Sequence, residues 1–180
     1  YDFDMASDIK LKVLSLLDQV CPGYEKLFSD AFGASSMELL SQYTTPEEML
    51  SVSTEKLAEL LETAIRGRLG LAKAEEIQEA AKNSFGIVLA SGSFALIIRQ
   101  YIEQIRSLES SIAVFDTEIA RLLAGFDTQL TTITGIGTTL AAVILSEIGG
   151  DIKRFSSPAK LAAYAGVDPT VKQSGDFTGT

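Results

Sequence analysis

Residues Phe94 to Leu122 read FALIIRQYIEQIRSLESSIAVFDTEIARL, and this stretch decides the fold. Its large apolar residues are Phe94, Ile98, Tyr101, Ile105, Leu108, Ile112, Phe115, Ile119 and Leu122. The steps between them alternate four and three across four heptads. That spacing predicts a coiled-coil seam rather than the wider stripe of an ordinary globular helix. Strong helix formers such as Glu103, Gln104, Arg106 and Glu109 fill the positions between. A helix of this length runs roughly 40 Å.

The entropy of ordering such a helix is offset only if something covers the seam. The cover is either a second copy of the chain or another helix of the same chain. Sustained heptads favour self-association through residues 94–122, against a long helix inside an intramolecular bundle. The flanks give little guidance. Gln104, Ser111 and Glu118 lie on one side, and Ile102, Glu109 and Asp116 on the other, so charge specifies the partner weakly.

Outward from this helix, the 180 residues are rich in helix formers and show almost no strand-like alternation. We therefore expect an all-α fold: a helical bundle with one long coiled-coil helix, followed by a helix-hairpin-helix-like unit. The expected division is a helical region over 1–91, the long helix over 92–125 and a C-terminal portion over 126–180.

Net charge is −9, and it is unevenly placed. Residues 1–62 carry 4 basic against 12 acidic side chains, whereas residues 63–180 carry 11 against 12. The first part repels phosphate at long range, so a nucleic-acid face belongs in the second part. The chain has no histidine, which excludes Ser-His and Cys-His couples and His-ligated zinc within it. Its single cysteine, Cys21, allows no internal disulfide and fits a reducing cytoplasm, where it reads as a small core residue. No apolar run is long enough to span a bilayer, so no membrane partner is expected.

Before the long helix the pattern predicts a series of short helices. One covers 8–20 with Ile9, Val13, Leu16, Leu17 and Val20 on a face, ended by Pro22-Gly23. A second short piece covers 24–32, with Gly33 as its C-cap. Ser35 or Ser36 caps a third. Thr45-Pro46-Glu47-Glu48 reads as a capping box with proline at the first helical position. Ser53 caps the helix bearing Leu57, Leu60, Leu61 and Ile65. Gly67 and Gly70 then interrupt, with Arg66, Arg68 and Lys73 around them. Those three cations read as a solvated turn in preference to a phosphate contact. A helix over 72–84 follows, and residues 86–93, broken by two glycines, form a hinge before the long helix.

After the long helix comes Ile133-Thr134-Gly135-Ile136-Gly137, directly before an apolar helix expected over 138–148. Two glycines around one aliphatic, opening a helix, match a helix-hairpin-helix turn. Glycine lets a phosphate approach the backbone, and the helix start at Thr138 offers free N–H groups and a positive dipole end. The bland alternative is a tight connection whose glycines serve packing alone. Gly149-Gly150 ends that helix. Lys153, Arg154 and Lys160 then gather around Phe155 and a helix start at Ser157-Pro158, with Leu161 and Tyr164 facing inward. This is the most basic local surface of the second part, read equally as a backbone contact or a solvated face.

The last residues include Gly166-Val167-Asp168-Pro169-Thr170-Val171-Lys172-Gln173-Ser174-Gly175. From chemistry alone Ser174 is a turn serine with no general base beside it except Lys172 or Asp176. The run ITGIGTTLAAVILSEIGGDIKRFSSPAKLAAYAGVDPTVKQSG, however, closely resembles the C-terminal domain of the insertion-sequence 110 family of transposases. The earlier run DQVCPGYEKLFSDAFGASSMELLSQYTTPEEM resembles that family's middle region. The shared pattern here is Gly166, Val167, Pro169, Ser174 and Gly175.

That resemblance implies a bacterial DNA recombinase guided by a structured RNA. It implies an N-terminal ribonuclease-H-like domain with four acidic residues and magnesium. It also implies a C-terminal serine, matched by Ser174, that forms a covalent phosphoserine link to DNA. The heptad helix would lie between the two domains and join subunits. On this reading the chain is an inactive fragment, starting after the acidic domain and stopping before a basic helix that follows the serine. It would hold no cofactor itself, with magnesium in the complete enzyme. Gly135, Gly137, Thr138, Lys153, Arg154, Lys160 and Lys172 are the expected nucleic-acid contacts. The alternative is a non-enzymatic helical module for nucleic-acid binding or dimerisation.

Overall fold

A computed structural model of the chain describes the backbone of residues 2–65, 70–167, 172–174 and 177–179, and the side chains of 4–63 and 70–167. The fold is helical, as expected from the missing strand alternation. Its helices are α1 (Asp2–Val20), α2 (Ala34–Gln42), α3 (Pro46–Ser51), α4 (Thr54–Ile65), α5 (Gly70–Lys82), α6 (Ser91–Leu123), α7 (Thr138–Glu147) and α8 (Pro158–Tyr164). The only strands among the described residues are β1 (Lys172–Ser174) and β2 (Phe177–Gly179), an antiparallel pair in which Ser174 faces Phe177. The chain divides into two compact units, residues 1–114 and 115–180, and the boundary falls within α6.

Unit 1 holds the main core. Ile9, Val13 and Leu17 of α1 join Leu39 and Leu40 of α2, Met49 of α3, Leu57 and Leu61 of α4, and Ala74, Ile77 and Ala81 of α5. Cys21 is buried there, and desolvation pushes its thiol above the usual range, which suits a core residue and not a nucleophile. The capping box forms as its residues dictate. Thr45 accepts from the Glu48 N–H at 3.2 Å, Pro46 opens α3, and the Glu48 carboxylate accepts from the Thr45 N–H. Ser53 caps α4 by accepting from the Lys56 N–H.

Glu48 also reaches across to α6, where Arg99 donates to it and to the Gln42 carbonyl. Partial burial alone would raise its pKa. The Arg99 hydrogen bond and the Thr44 and Thr45 N–H groups outweigh that, so its carboxyl sits below the ordinary range. Lys10 to Glu109 and Arg106 to Glu38, at 2.8 and 2.9 Å, tie α6 to α1 and α2 in the same way.

These ties show what covers the first half of the long helix: its own chain. Ala95, Ile98, Ile102 and Ile105 are fully buried, while Phe94, Tyr101 and Leu108 are half-buried. Ile102 is a flank position in the heptad reading, so the buried stripe here is wider than a coiled-coil seam. A stripe that wide is the mark of a helix packed on a globular core.

Three local expectations are corrected. Gly33, with φ −66°, is the N-cap of α2 and not a C-cap. Ser35 and Ser36 lie inside the first turn of α2 and are buried, so neither caps it; the Ser36 hydroxyl instead donates to Ala31 and pairs with Tyr24. Residues 24–27 make a single 3₁₀ turn that ends at Phe28. For Ser36, the contacts to Tyr24 and the Ala31 carbonyl redirect a hydroxyl that local chemistry assigns to a cap. Before α6, Gly86 lies tightly against α1, and the Ile87 N–H donates to the Gln19 carbonyl at 2.7 Å. The hinge reading of 86–93 thus meets a docked strap, with the positive φ carried by Ala90 (64°) and not by a glycine.

In unit 2, Leu123 at the end of α6 packs with Ala141, Leu145 and Ile148 of α7, and Leu130, Ile136, Phe155 and Leu161 close around them. Gly149 and Gly150, at φ 71° and 75°, end α7 as expected. The Gly150 N–H reaches the Leu145 carbonyl and the Gly149 N–H the Ser146 carbonyl, which is a Schellman motif. Ser157 caps α8 by accepting from the Lys160 N–H.

Candidate nucleic-acid interface

The Gly-Ile-Gly segment is built from a tight turn. The Ile136 N–H donates to the Ile133 carbonyl at 3.0 Å, with Gly135 at the third position and φ 91°. Left-handed backbone there requires glycine. Ile136 leans into the unit 2 core and anchors the turn. Gly137 then serves as N-cap of α7 with φ −81° and ψ 179°, and it offers no side-chain cap. Among the described residues, the N–H groups of Thr138, Thr139 and Leu140 find no acceptor. Three orphan donors and the positive dipole end therefore point outward at one place.

Packing does not account for both glycines. A Cβ built on either Gly135 or Gly137 meets nothing within 4 Å. Gly135 is required by its φ alone. Gly137 is required neither by φ nor by a neighbour among the described residues, so packing within them does not account for it. Open space above orphan N–H groups is what a phosphate needs.

The basic residues that follow α7 separate into two kinds. Arg154 donates to the Ile148 carbonyl at 3.1 Å, and its guanidinium lies over the rings of Phe155 and Tyr164 at 5.2 and 5.6 Å. It closes the negative end of α7, where a cation belongs. Tyr164, expected to face inward, is 54 % exposed and donates its hydroxyl to the Glu147 carbonyl at 3.0 Å. A buried tyrosine needs a partner for its hydroxyl, and here the helix end supplies one at the surface. Lys153 and Lys160 are exposed and make no ion pair among the described residues, so their charge is free to meet an anion.

Lys172 and Ser174 share β1, but their side chains lie outside the described residues, as do Asp168, Pro169 and Gly175. Arg66 and Arg68 also lie outside them. Lys73 is paired with Glu76 at 2.8 Å and sits over Phe28 at 5.2 Å, beside a cavity of about 520 Å³ whose lining includes Asp30, Glu62 and Glu76. Acidic lining of that kind disfavours a phosphate.

One contact escaped the sequence reading. The Thr139 hydroxyl, at the second residue of α7, donates to Asp116 of α6 at 3.3 Å. Asp116 reads from sequence only as an acidic flank of the seam. No local signal links it to a residue 23 positions away.

Among the described residues no three His, Cys, Asp or Glu side chains converge to hold a metal ion. The described residues thus offer no site for the magnesium that the family resemblance places in a separate N-terminal domain, and no step is derived through it. Among the same residues no helix is long and apolar enough to cross a membrane.

The features define a class: a helical protein whose second unit presents a glycine turn and an open helix start to solvent. Comparison with known proteins then narrows it. Residues 127–180, which hold the turn, the basic cluster and Ser174, match the model of the Transposase IS116/IS110/IS902 family. Over nearly its whole length the chain is also similar to insertion-element proteins. It is 25 % identical to the insertion element IS110 uncharacterized 43.6 kDa protein of Streptomyces coelicolor, over 97 % of this chain and 44 % of that protein. It is 24 % identical to the insertion element IS116 uncharacterized 44.8 kDa protein of Streptomyces clavuligerus, over 93 % and 42 %. The insertion element IS900 uncharacterized 42 kDa protein of Mycobacterium paratuberculosis is 25 % identical over 86 % and 39 %. The chain spans less than half the length of these relatives. No solved structure matches it.

Proposed function

We propose that this chain is the DNA-engaging part of an insertion-element transposase. Unit 2 grips the sugar-phosphate backbone at the Gly135–Gly137 turn, with the first-turn N–H groups of α7 as donors and Lys153, Lys160 and Lys172 as further cations that meet the strand. Contacts of this kind position a strand without reading its sequence. Sequence choice then falls to another component, for which a structured guide RNA in the complete enzyme is our reading of the family resemblance. Ser174 is the nucleophile. Its Oγ attacks a DNA phosphorus, the P–O bond to the leaving strand end breaks, and the leaving oxygen takes up a proton while the serine proton passes to a base. The exchange conserves one phosphodiester bond.

The observation that carries this reading is the open glycine turn with its three unpaired N–H groups, lying inside the residues that match the transposase family. Gly137→Val tests it. Its φ of −81° suits any residue and its Cβ position is empty, so the variant should fold, losing at most about 1 kcal/mol because valine is a poorer N-cap than glycine. The valine methyls would stand where the phosphate approaches. We expect affinity for a duplex to fall about tenfold, as for the loss of about one charge-assisted hydrogen bond. Unchanged affinity in fluorescence anisotropy would rule out the turn as the contact.

A second copy of the chain is the partner we assign to the outer half of α6. There the seam stays open at Phe115 and Leu122, 56 and 52 % exposed, with Val114 beside it at 63 %. Ile112 and Ile119 of the same seam are half-buried. Sedimentation should show a concentration-dependent dimer that Phe115→Glu and Leu122→Glu reduce to monomer. A parent chain that stays monomeric at high concentration would end this assignment.

A further inference from the structure

We propose that Asp116 is an electrostatic gate on the glycine turn: a fixed carboxylate beside the open end of α7 that weakens backbone binding and sets its salt sensitivity. The proposal rests on the reading of that turn as a nucleic-acid contact.

The geometry is local to unit 2. Asp116 Oδ1 accepts from the Thr139 hydroxyl at 3.3 Å, and Thr139 is the second residue of α7. The carboxylate is thereby held within one turn of the three N–H groups that lack acceptors. It is exposed, and among the described residues no lysine or arginine pairs with it. No described side chain neutralises its charge, so its field reaches whatever docks at the helix start.

An anion near a helix N-terminus stabilises the helix, which explains why the uncapped start at Gly137 is tolerated. The same anion opposes an incoming phosphate. The Thr139 hydroxyl is the hinge of the exchange. It is spent on Asp116 when the site is empty and becomes a donor to phosphate oxygen when a strand binds. A unit charge several ångströms from a bound phosphate, in partly solvated surroundings, changes affinity by about three- to tenfold at low salt. Salt screens that effect away.

Asp116→Asn isolates the charge, because its amide oxygen still accepts from Thr139. Anisotropy with a labelled DNA duplex of about 20 base pairs should show binding tightened three- to tenfold at roughly 50 mM salt, with the gain shrinking near 300 mM. Asp116→Ser, smaller but still an acceptor, is the second variant should the first melt early. Unchanged or weaker binding by folded Asp116 variants, while Gly137→Val still loosens the complex, would overturn the gate and leave the contact standing. If neither Asp116 nor Gly137 matters to affinity, the contact itself is misplaced and the gate falls with it.

Discussion

Replacing Ser174 with alanine, in a polypeptide of the relatives' length that carries this sequence, should abolish the covalent protein–DNA adduct and leave DNA affinity within about twofold of the parent. The adduct is read as labelled DNA that stays with the protein through denaturing electrophoresis. Deleting a nucleophile removes the bond-forming atom, so the loss is not graded. Rates fall by roughly three orders of magnitude or more when a covalent nucleophile is deleted. On the proposed reading affinity is set elsewhere, by the glycine turn, Lys153 and Lys160, and those are untouched. Normal binding without adduct is therefore the signature that separates a nucleophile from a backbone contact. An adduct that persists in the alanine variant would move the nucleophile to another hydroxyl and reject Ser174.

The helical class was legible because it rests on local chemistry. The Thr45-Pro46-Glu48 start, the Ser157-Pro158 start and the Gly149-Gly150 stop each appear in the structure as their residues require. Such signals need only a few neighbouring residues and survive folding. The long helix was equally legible as a helix, but not the identity of its cover. Heptad spacing says that a seam must be buried; it does not say by what. Ile98 and Ile105 are seam residues, Ile102 is a flank residue, and all three lie in the core of unit 1. Arg99 and Arg106 explain the outcome: each reaches an acidic residue of the earlier helices, Glu48 and Glu38. Those pairs join residues 51 and 68 positions apart, beyond the reach of any local pattern.

The candidate site divides in the same way. Gly135 was legible because a left-handed turn demands glycine. Arg154 was not, because composition counts it among the cations facing a strand, whereas the fold commits its guanidinium to the end of α7. The Asp116–Thr139 pair was illegible for the opposite reason: an exposed acidic residue on a long helix is ordinary, and only the chain's return through the turn brings Thr139 to it. Local rules thus located the turn and the open helix start, while tertiary contacts decided which charges are left without an ion pair among the described residues.

The other large effect is expected at Gly86, where Gly86→Ala should lower the stability of unit 1 by about 2–4 kcal/mol. Two features of the strap make it so. A Cβ at this position would stand inside any real contact distance of the Val20 carbonyl oxygen and carbon. Those atoms are backbone at the end of α1, so no rotamer change relieves the clash. The next residue is tied to the same place, since the Ile87 N–H donates to the Gln19 carbonyl. Alanine must therefore lift the strap and break that bond, or shift the end of α1 and disturb Val20 and Cys21 in the core. Gly92, six residues later, has nothing within 4 Å of its Cβ position and lies near the start of α6. Gly92→Ala should change stability by less than about 1 kcal/mol, and in the stabilising direction, because alanine favours helix. Urea melts of the two variants side by side make the comparison independent of how either affects the unfolded chain at large. Equal midpoints for both would mean that the strap is not docked on α1. That result would also remove the close packing that turns the end of α1 into the entry point of the long helix.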